Sequence, residues 1–239
     1  MDTNDPFATA VPTPTAARPL LGLTILVVED SRYACEAIRL LCLRSGARIR
    51  RADCLRSARR HLQVYRPSVL IVDLGLPDGN GLDLIAELHE TQPRVDAILG
   101  MSADLHLEED AIAAGADGFM PKPITAIGVF QECILSLLPV ERRPRGVRVL
   151  NEDTVHPDHI AFQDDMAHIA EVLEDPPNET ALDYAAQFLN GLARSTQDTR
   201  LGEAAQALAD KRAKGAASAS ETAVLAALVQ TRLSQKIAI

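Results

Sequence analysis

From Leu23 onward, apolar runs of strand length alternate with segments whose apolar residues recur at helical spacing. Leu23–Val28, Val69–Val72 and Ala97–Met101 are nearly unbroken apolar runs, while Arg48–Ala52 and Gly118–Met120 are shorter, poorer strand candidates. Helix patterns cover Tyr33–Leu43, Leu55–Tyr65, Leu82–Glu90, Leu107–Ala114 and Ala126–Leu138, and in the first of them Ala34, Ile38 and Leu41 share a face. Strands that are apolar throughout are buried on both sides. Three such strands and two poorer ones, alternating with five helices, therefore predict an α/β fold, a doubly wound five-stranded parallel sheet spanning residues 22–139.

Both flanks read differently. Residues 1–21 hold Pro6, Pro12, Pro14 and Pro19 among Thr and Ala, which predicts a disordered tail with no core to join. Around 140–150, Pro144 and Gly146 stand among Arg142, Arg143, Arg145 and Arg148, which is linker chemistry. Beyond the linker only helix formers follow, with helices expected over 157–174, 179–194, 199–213 and 219–235. Pro176-Pro177, Asn178 and Lys214-Gly215 separate them, and Ser218 with Glu221 three residues on predicts a capping box for the last. Residues 151–239 should thus form a small all-α unit.

Composition narrows the function classes. The chain has 239 residues, 47% of them hydrophobic, no Trp and only 3% aromatic, so its cores must be aliphatic. A formal charge of −9 argues against a large nucleic-acid footprint, which needs a basic face. No apolar run approaches the ~20 residues of a membrane span, and the start, Met1-Asp2-Thr3-Asn4-Asp5, does not read as a secretory signal. Cys35, Cys42, Cys54 and Cys133 show no metal-ligand spacing and lie in apolar-periodic segments, as buried free thiols of a cytoplasmic protein would.

Doubly wound sheets place their ligand sites at the carboxyl ends of the strands. Here the first strand runs into Glu29-Asp30, the third ends at Asp73, the fourth ends in Ser102-Ala103, and the fifth leads to Lys122-Pro123. Three carboxylates sharing one pocket raise each other's pKa unless a cation sits among them. Oxygen-only ligands of this kind suit Mg²⁺. A lysine and a hydroxyl at the same rim supply donors for a phosphoryl group held on one carboxylate.

These residues resemble the motifs of bacterial two-component response regulators. The matching stretches are Val28-Glu29-Asp30-Ser31, Asp73-Leu74-Gly75-Leu76-Pro77-Asp78-Gly79-Asn80-Gly81, Ser102-Ala103, and Gly118-Phe119-Met120-Pro121-Lys122-Pro123. The resemblance covers residues 22–139 and implies a flavodoxin-like receiver domain. It implies that Asp73 accepts a phosphoryl group from a histidine kinase or histidine phosphotransferase. It also implies that Glu29, Asp30, Asp73 and the backbone carbonyl of Gly75 hold Mg²⁺. Lys122 would pair with the acyl phosphate, Ser102 would bond a phosphate oxygen, and Phe119 would follow as the aromatic switch. Such a receiver catalyses its own phosphorylation and dephosphorylation and is otherwise not an enzyme. Ala103 is small and Gly75 has no side chain, which leaves the phosphate open to donor or water; Pro123 stands where the family often has a cis peptide bond.

The second half carries no Gly-rich phosphate loop, nucleophile elbow or zinc spacing. His156, His159 and His168 lie near Asp164 and Asp165, but on a helical wheel Asp164, His168, Glu171 and Asp175 share one polar face. A solvated acidic face is the expectation there. With 14 acidic against 7 basic side chains, residues 149–239 argue against DNA as a partner. The stripes Tyr184, Phe188, Leu189, Leu192 and Val224, Leu225, Leu228, Thr231 either build the bundle or face a partner helix, in a second copy of the chain or in a kinase's dimerisation bundle. The leading reading is therefore a response regulator that signals through protein–protein contact and acts on a kinase or phosphorelay component. The alternative is a transcriptional or RNA-binding regulator with an unrecognised helical effector.

Overall fold

The structure, a computed structural model, describes residues 13–146, 149–174 and 178–235. Its first unit is built from β1 (Thr24–Val28), α1 (Arg32–Ser45), β2 (Arg48–Ala52), α2 (Leu55–Val64) and β3 (Val69–Asp73). A two-residue-per-strand hairpin follows, β4 (Gly75–Leu76) with β5 (Gly79–Asn80), and then α3 (Gly81–His89), β6 (Ala97–Ser102), α4 (Leu107–Ala113), β7 (Gly118–Pro121) and α5 (Ile127–Leu137). The hairpin was not expected from the apolar pattern, since four residues give periodicity nothing to show.

The five main strands are parallel in the order β2-β1-β3-β6-β7. Strand residues alternate between two cores. Ile25, Val27, Ile71, Leu99 and Met101 face α1 and α5 with Ile38, Leu41, Phe130 and Ile134. Leu26, Val28, Leu70, Val72 and Ile98 face the other side with Leu55, Leu84, Ile85 and Ala111. Each fully buried Leu or Ile removes enough apolar surface from water for roughly 1.5–3 kcal/mol, and this two-sided burial is what makes the strands continuous apolar runs. The parallel register sets Val28 beside Val72 and Asp73 beside Met101, so the residues just past these strands emerge at one edge of the sheet.

The unit extends beyond its expected ends. Leu20, assigned to a disordered tail, is fully buried and its N–H donates to the Ser45 carbonyl at 3.0 Å. At the other end, Thr154 bridges Ala126, the Val155 N–H reaches Thr125 O at 2.9 Å, and Val155 is buried in the α1/α5 core. Residues 151–155 therefore pack as part of the α/β unit, although proline and arginine content put the boundary before them. The linker arginines are engaged too: Arg142 pairs with Asp96 at 3.2 Å and Arg143 donates to Leu138 O at 2.8 Å. Arg148 lies outside the described residues, as do residues 1–12.

The second unit comprises α6 (His159–Glu174), α7 (Glu179–Thr196), α8 (Thr199–Ala213) and α9 (Ala219–Ser234). Its core joins Phe162, Met166 and Ile169 of α6 to Phe188, Leu189 and Leu192 of α7, Leu201 and Leu208 of α8, and Leu225 and Val229 of α9. The apolar stripes thus mainly build the bundle; Val224 is left 53% exposed. The expected capping box is absent, because the Ser218 side chain makes no cap hydrogen bond and Glu221 turns to Lys211 at 3.6 Å. Asp175 and Pro176-Pro177 lie outside the described residues. No described helix is long and apolar enough to cross a membrane.

The two units are packed together. Tyr33 of α1 joins the helical core, with its ring edge-on to Phe162 at a centroid distance of 6.4 Å.

Candidate acidic site and its helical cover

Asp73 ends β3, Glu29 and Asp30 follow β1, Ser102 ends β6, and Lys122 follows β7. All five line one cavity of about 380 Å³. Gly81 lets the chain return beneath the site, since a side chain there would overlap the Asp73 carbonyl. Asp78 fastens the same loop by accepting from Leu55 N at 2.8 Å and Arg56 N at 2.9 Å at the start of α2. The Lys122–Pro123 bond is cis, and Lys122 N donates to Ser102 O at 2.9 Å.

The electrostatics are those of a buried anionic cluster with one internal cation. Lys122 Nζ lies 2.6 Å from Glu29 Oε2 and 3.1 Å from Asp73 Oδ1. Burial pushes Glu29 up to about 7, against the pull of Lys122. Asp73 is pushed to about 7 for the same reason. Asp30 rises to about 6 through burial and the neighbouring Asp73 charge. Burial works against the Lys122 ammonium, but Asp73 and Glu29 outweigh it and hold the amine charged. One carboxylate oxygen each from Glu29, Asp30 and Asp73 lies within 4.8 Å of the others. An all-oxygen donor set of this size fits a hard divalent cation such as Mg²⁺. Among the described residues this is the only such group, so the histidines of α6 do not form a metal cluster.

Ser102 is 4% exposed and its Oγ accepts from Asp104 N at 3.1 Å. Phe119 is half-buried against the α2–α4 core. Cys35 and Cys42 are buried free thiols as expected, whereas Cys54 sits at the start of α2, where its Sγ accepts from Ser57 N at 3.4 Å.

What the sequence did not suggest is that the helical unit completes the rim of this cavity. Asp165, which the sequence placed only near the histidines and on neither face of the wheel, is 2% exposed. It accepts from Ser31 Oγ at 2.7 Å, Arg32 N at 2.7 Å and Tyr33 N at 3.1 Å, so a residue of α6 caps the N-terminus of α1. Arg32 reaches Asp164 at 3.1 Å. Tyr184 donates to Asp30 Oδ2 at 2.5 Å. Its single hydrogen being committed there, it accepts from His168 Nε2 at 2.9 Å. Gln187 rests over Gly75, where a side chain would overlap its amide. Arg194 donates to the Ala103 carbonyl. Ala103 and Gly75 therefore do not simply leave the pocket open; their smallness admits α7.

Residues 25–132 match the response regulator receiver domain. This segment is a receiver domain of the response-regulator family. The KDP operon transcriptional regulatory protein KdpE of Escherichia coli is 30% identical over 107 residues, 45% of this chain and 47% of the relative. The transcriptional regulatory protein CitB of Klebsiella pneumoniae is 33% identical over 107 residues, 43% of this chain and 45% of the relative. A response regulator structure from Chloroflexus aurantiacus is 26% identical with a TM-score of 0.41, covering 43% of this chain and 86% of that one. The chain thus spans about half the length of the curated relatives it matches, and the receiver match ends before the helical unit begins.

Proposed function

We propose that the chain is a phosphorelay response regulator in which Asp73 accepts a phosphoryl group and the helical unit carries the signal by protein–protein contact. The observation behind it is a buried carboxylate at the end of β3, 3.1 Å from a lysine amine and beside two further acids. The donor is a phosphohistidine of a kinase or phosphotransferase: the P–N bond breaks as a P–O bond to Asp73 forms. Lys122 turns from Asp73 toward the new phosphoryl oxygens and offsets their charge. Ser102 hydrogen-bonds another of those oxygens, and Phe119 moves inward behind it as the switch. Glu29, Asp30, Asp73 and the carbonyl of Gly75 would hold Mg²⁺, which when bound offsets charge in the in-line transition state.

The test is labelling by a phosphorylated kinase in Mg²⁺. Asp73→Asn is expected to abolish acid-stable, hydroxylamine-sensitive label, and persistent label in that variant refutes the assignment. The relatives are named as transcriptional regulators, but they match the receiver half. The acidic helical unit favours contact with another protein over DNA; sequence-specific retention in a mobility-shift assay at physiological salt overturns this part.

A further inference from the structure

We propose that the helical unit also helps remove the phosphoryl group from its own receiver, with the Gln187 amide orienting the water that hydrolyses aspartyl phosphate at Asp73. This rests on Asp73 being the acceptor. Along α7, Tyr184, Gln187, Gly191 and Arg194 recur at spacings of three and four, and they form the face turned to the receiver. Three of them are accounted for by docking. Tyr184 holds Asp30, Arg194 holds the Ala103 carbonyl, and Gly191 faces the Ala103 methyl, which would stand 4.0 Å from a Cβ there.

Gln187 is not accounted for in that way. It lines the cavity together with Asp73, Ser102 and Lys122. Its amide has no hydrogen-bond partner among the described residues, while its polar neighbours are engaged, Asp183 with Arg212 at 2.8 Å and Asn190 with Gln206 at 3.3 Å. It is admitted because residue 75 is glycine. An acidic side chain in this place would be repelled by a phosphoryl group, but an amide is neutral and carries both an acceptor and donors on one plane. Oε1 can accept a hydrogen from a water while Nε2 donates to a phosphoryl oxygen, fixing that water for attack. The water oxygen bonds to phosphorus as the bond from phosphorus to the Asp73 carboxylate oxygen breaks. The electron pair leaves with the carboxylate, and both water hydrogens leave on inorganic phosphate as H₂PO₄⁻. The docking that brings the amide there is built rather than incidental, with Asp165 buried and saturated at the α1 N-terminus.

The sign of one measurement separates this from passive cover. The full chain is labelled with acetyl phosphate in Mg²⁺, the donor is removed, and loss of label is followed. Gln187→Met keeps the length of the side chain and deletes the amide, and is expected to lengthen the lifetime of the label roughly ten- to a hundredfold. Asp165→Ala, which loosens the docking, should lengthen it as well. A passive cover gives the reverse, since removing it lets water in; unchanged or shortened lifetimes in both variants overturn the hydrolytic role alone. No label on any form, wild type included, with no phosphate released from acetyl phosphate, overturns the acceptor reading and this inference with it. A second readout needs no turnover. With beryllofluoride and Mg²⁺ as the phosphoryl mimic, the side-chain amide resonances of Gln187 should shift, and resonances that stay in place contradict the inference.

Discussion

The two sides of the cavity are built by different rules. The receiver side comes from four strand ends, where a parallel sheet fixes each backbone position to its neighbour by ladder hydrogen bonds. Residues there have little packing value, so Glu29-Asp30, Asp73, Ser102 and Lys122 stand out against the apolar strands before them. The helical side comes from one face of α7 and one residue of α6. On a helix every face has the same period, and a residue that meets a receiver is spaced like one that meets solvent or core. A site assembled from both kinds of element is therefore half visible before folding.

The sharpest way to break the receiver side is to remove its cation. Among the described residues Lys122 is the one positive charge touching Glu29 and Asp73, and its side chain is 11% exposed. Lys122→Ala leaves two buried carboxylates facing each other, a change that costs about 3–5 kcal/mol. Glu29 and Asp73 already titrate at about 7 because of burial, and without the lysine they rise further. A carboxyl whose folded pKa lies above its unfolded value opposes folding when ionised and not when protonated in both states. The loss should thus be full near pH 8.5 and should shrink as pH falls toward about 4. Urea denaturation at several pH values without divalent metal measures it; a pH-independent loss contradicts the coupling.

That contrast sets what could be read in advance. The five main strands, their parallel sheet and the acids Glu29, Asp30 and Asp73 were legible, because two-sided burial writes an apolar run and the site follows such runs directly. Leu20 and Val155 were missed because a single buried side chain in a proline-rich or polar stretch leaves no period. Asp165 was given no role because wheel position records amphipathicity, not what lies opposite. Tyr184 was placed in an apolar stripe, and Phe188, Leu189 and Leu192 beside it are indeed core. Only the tertiary arrangement shows that its hydroxyl reaches Asp30.

On the helical side the largest effect belongs to Asp165. It satisfies Ser31 Oγ and two N–H groups at the start of α1. Asp165→Ala leaves these three donors without their acceptor, at about 1–3 kcal/mol for each that stays out of water. Amide exchange at residues 31–34 and across the bundle should accelerate together; acceleration at α1 alone means that the units stay docked by other contacts.

Between the two sides lies the candidate metal site. If Glu29, Asp30 and Asp73 bind Mg²⁺, then at ten times its Kd the ion stabilises the fold by about 1.4 kcal/mol. Protons compete for the same oxygens, and Asp30 at about 6 and its neighbours at about 7 set the range. A thermal shift by Mg²⁺ should be present at pH 8 and fade below about pH 6. A shift that persists at pH 5 places the ion elsewhere.

Tyr184→Phe is the most conservative substitution and the one that tests the join itself. The hydroxyl donates to Asp30 Oδ2 at 2.5 Å and holds that carboxyl lower than burial alone would leave it. Its removal keeps the ring against His168 and Phe188 and deletes one hydrogen bond to a charged group, worth about 1.5–3 kcal/mol. The folded pKa of Asp30 should then rise above about 6. The variant therefore loses stability where Asp30 is ionised, at pH 7 and above, and approaches wild type as pH falls through the Asp30 pKa toward 4. Carboxyl-carbon NMR titration of Asp30 reads the same event directly. An Asp30 pKa that does not move in the variant means that α7 and the receiver do not share this hydrogen bond in solution, and the cavity is then bounded by the receiver alone.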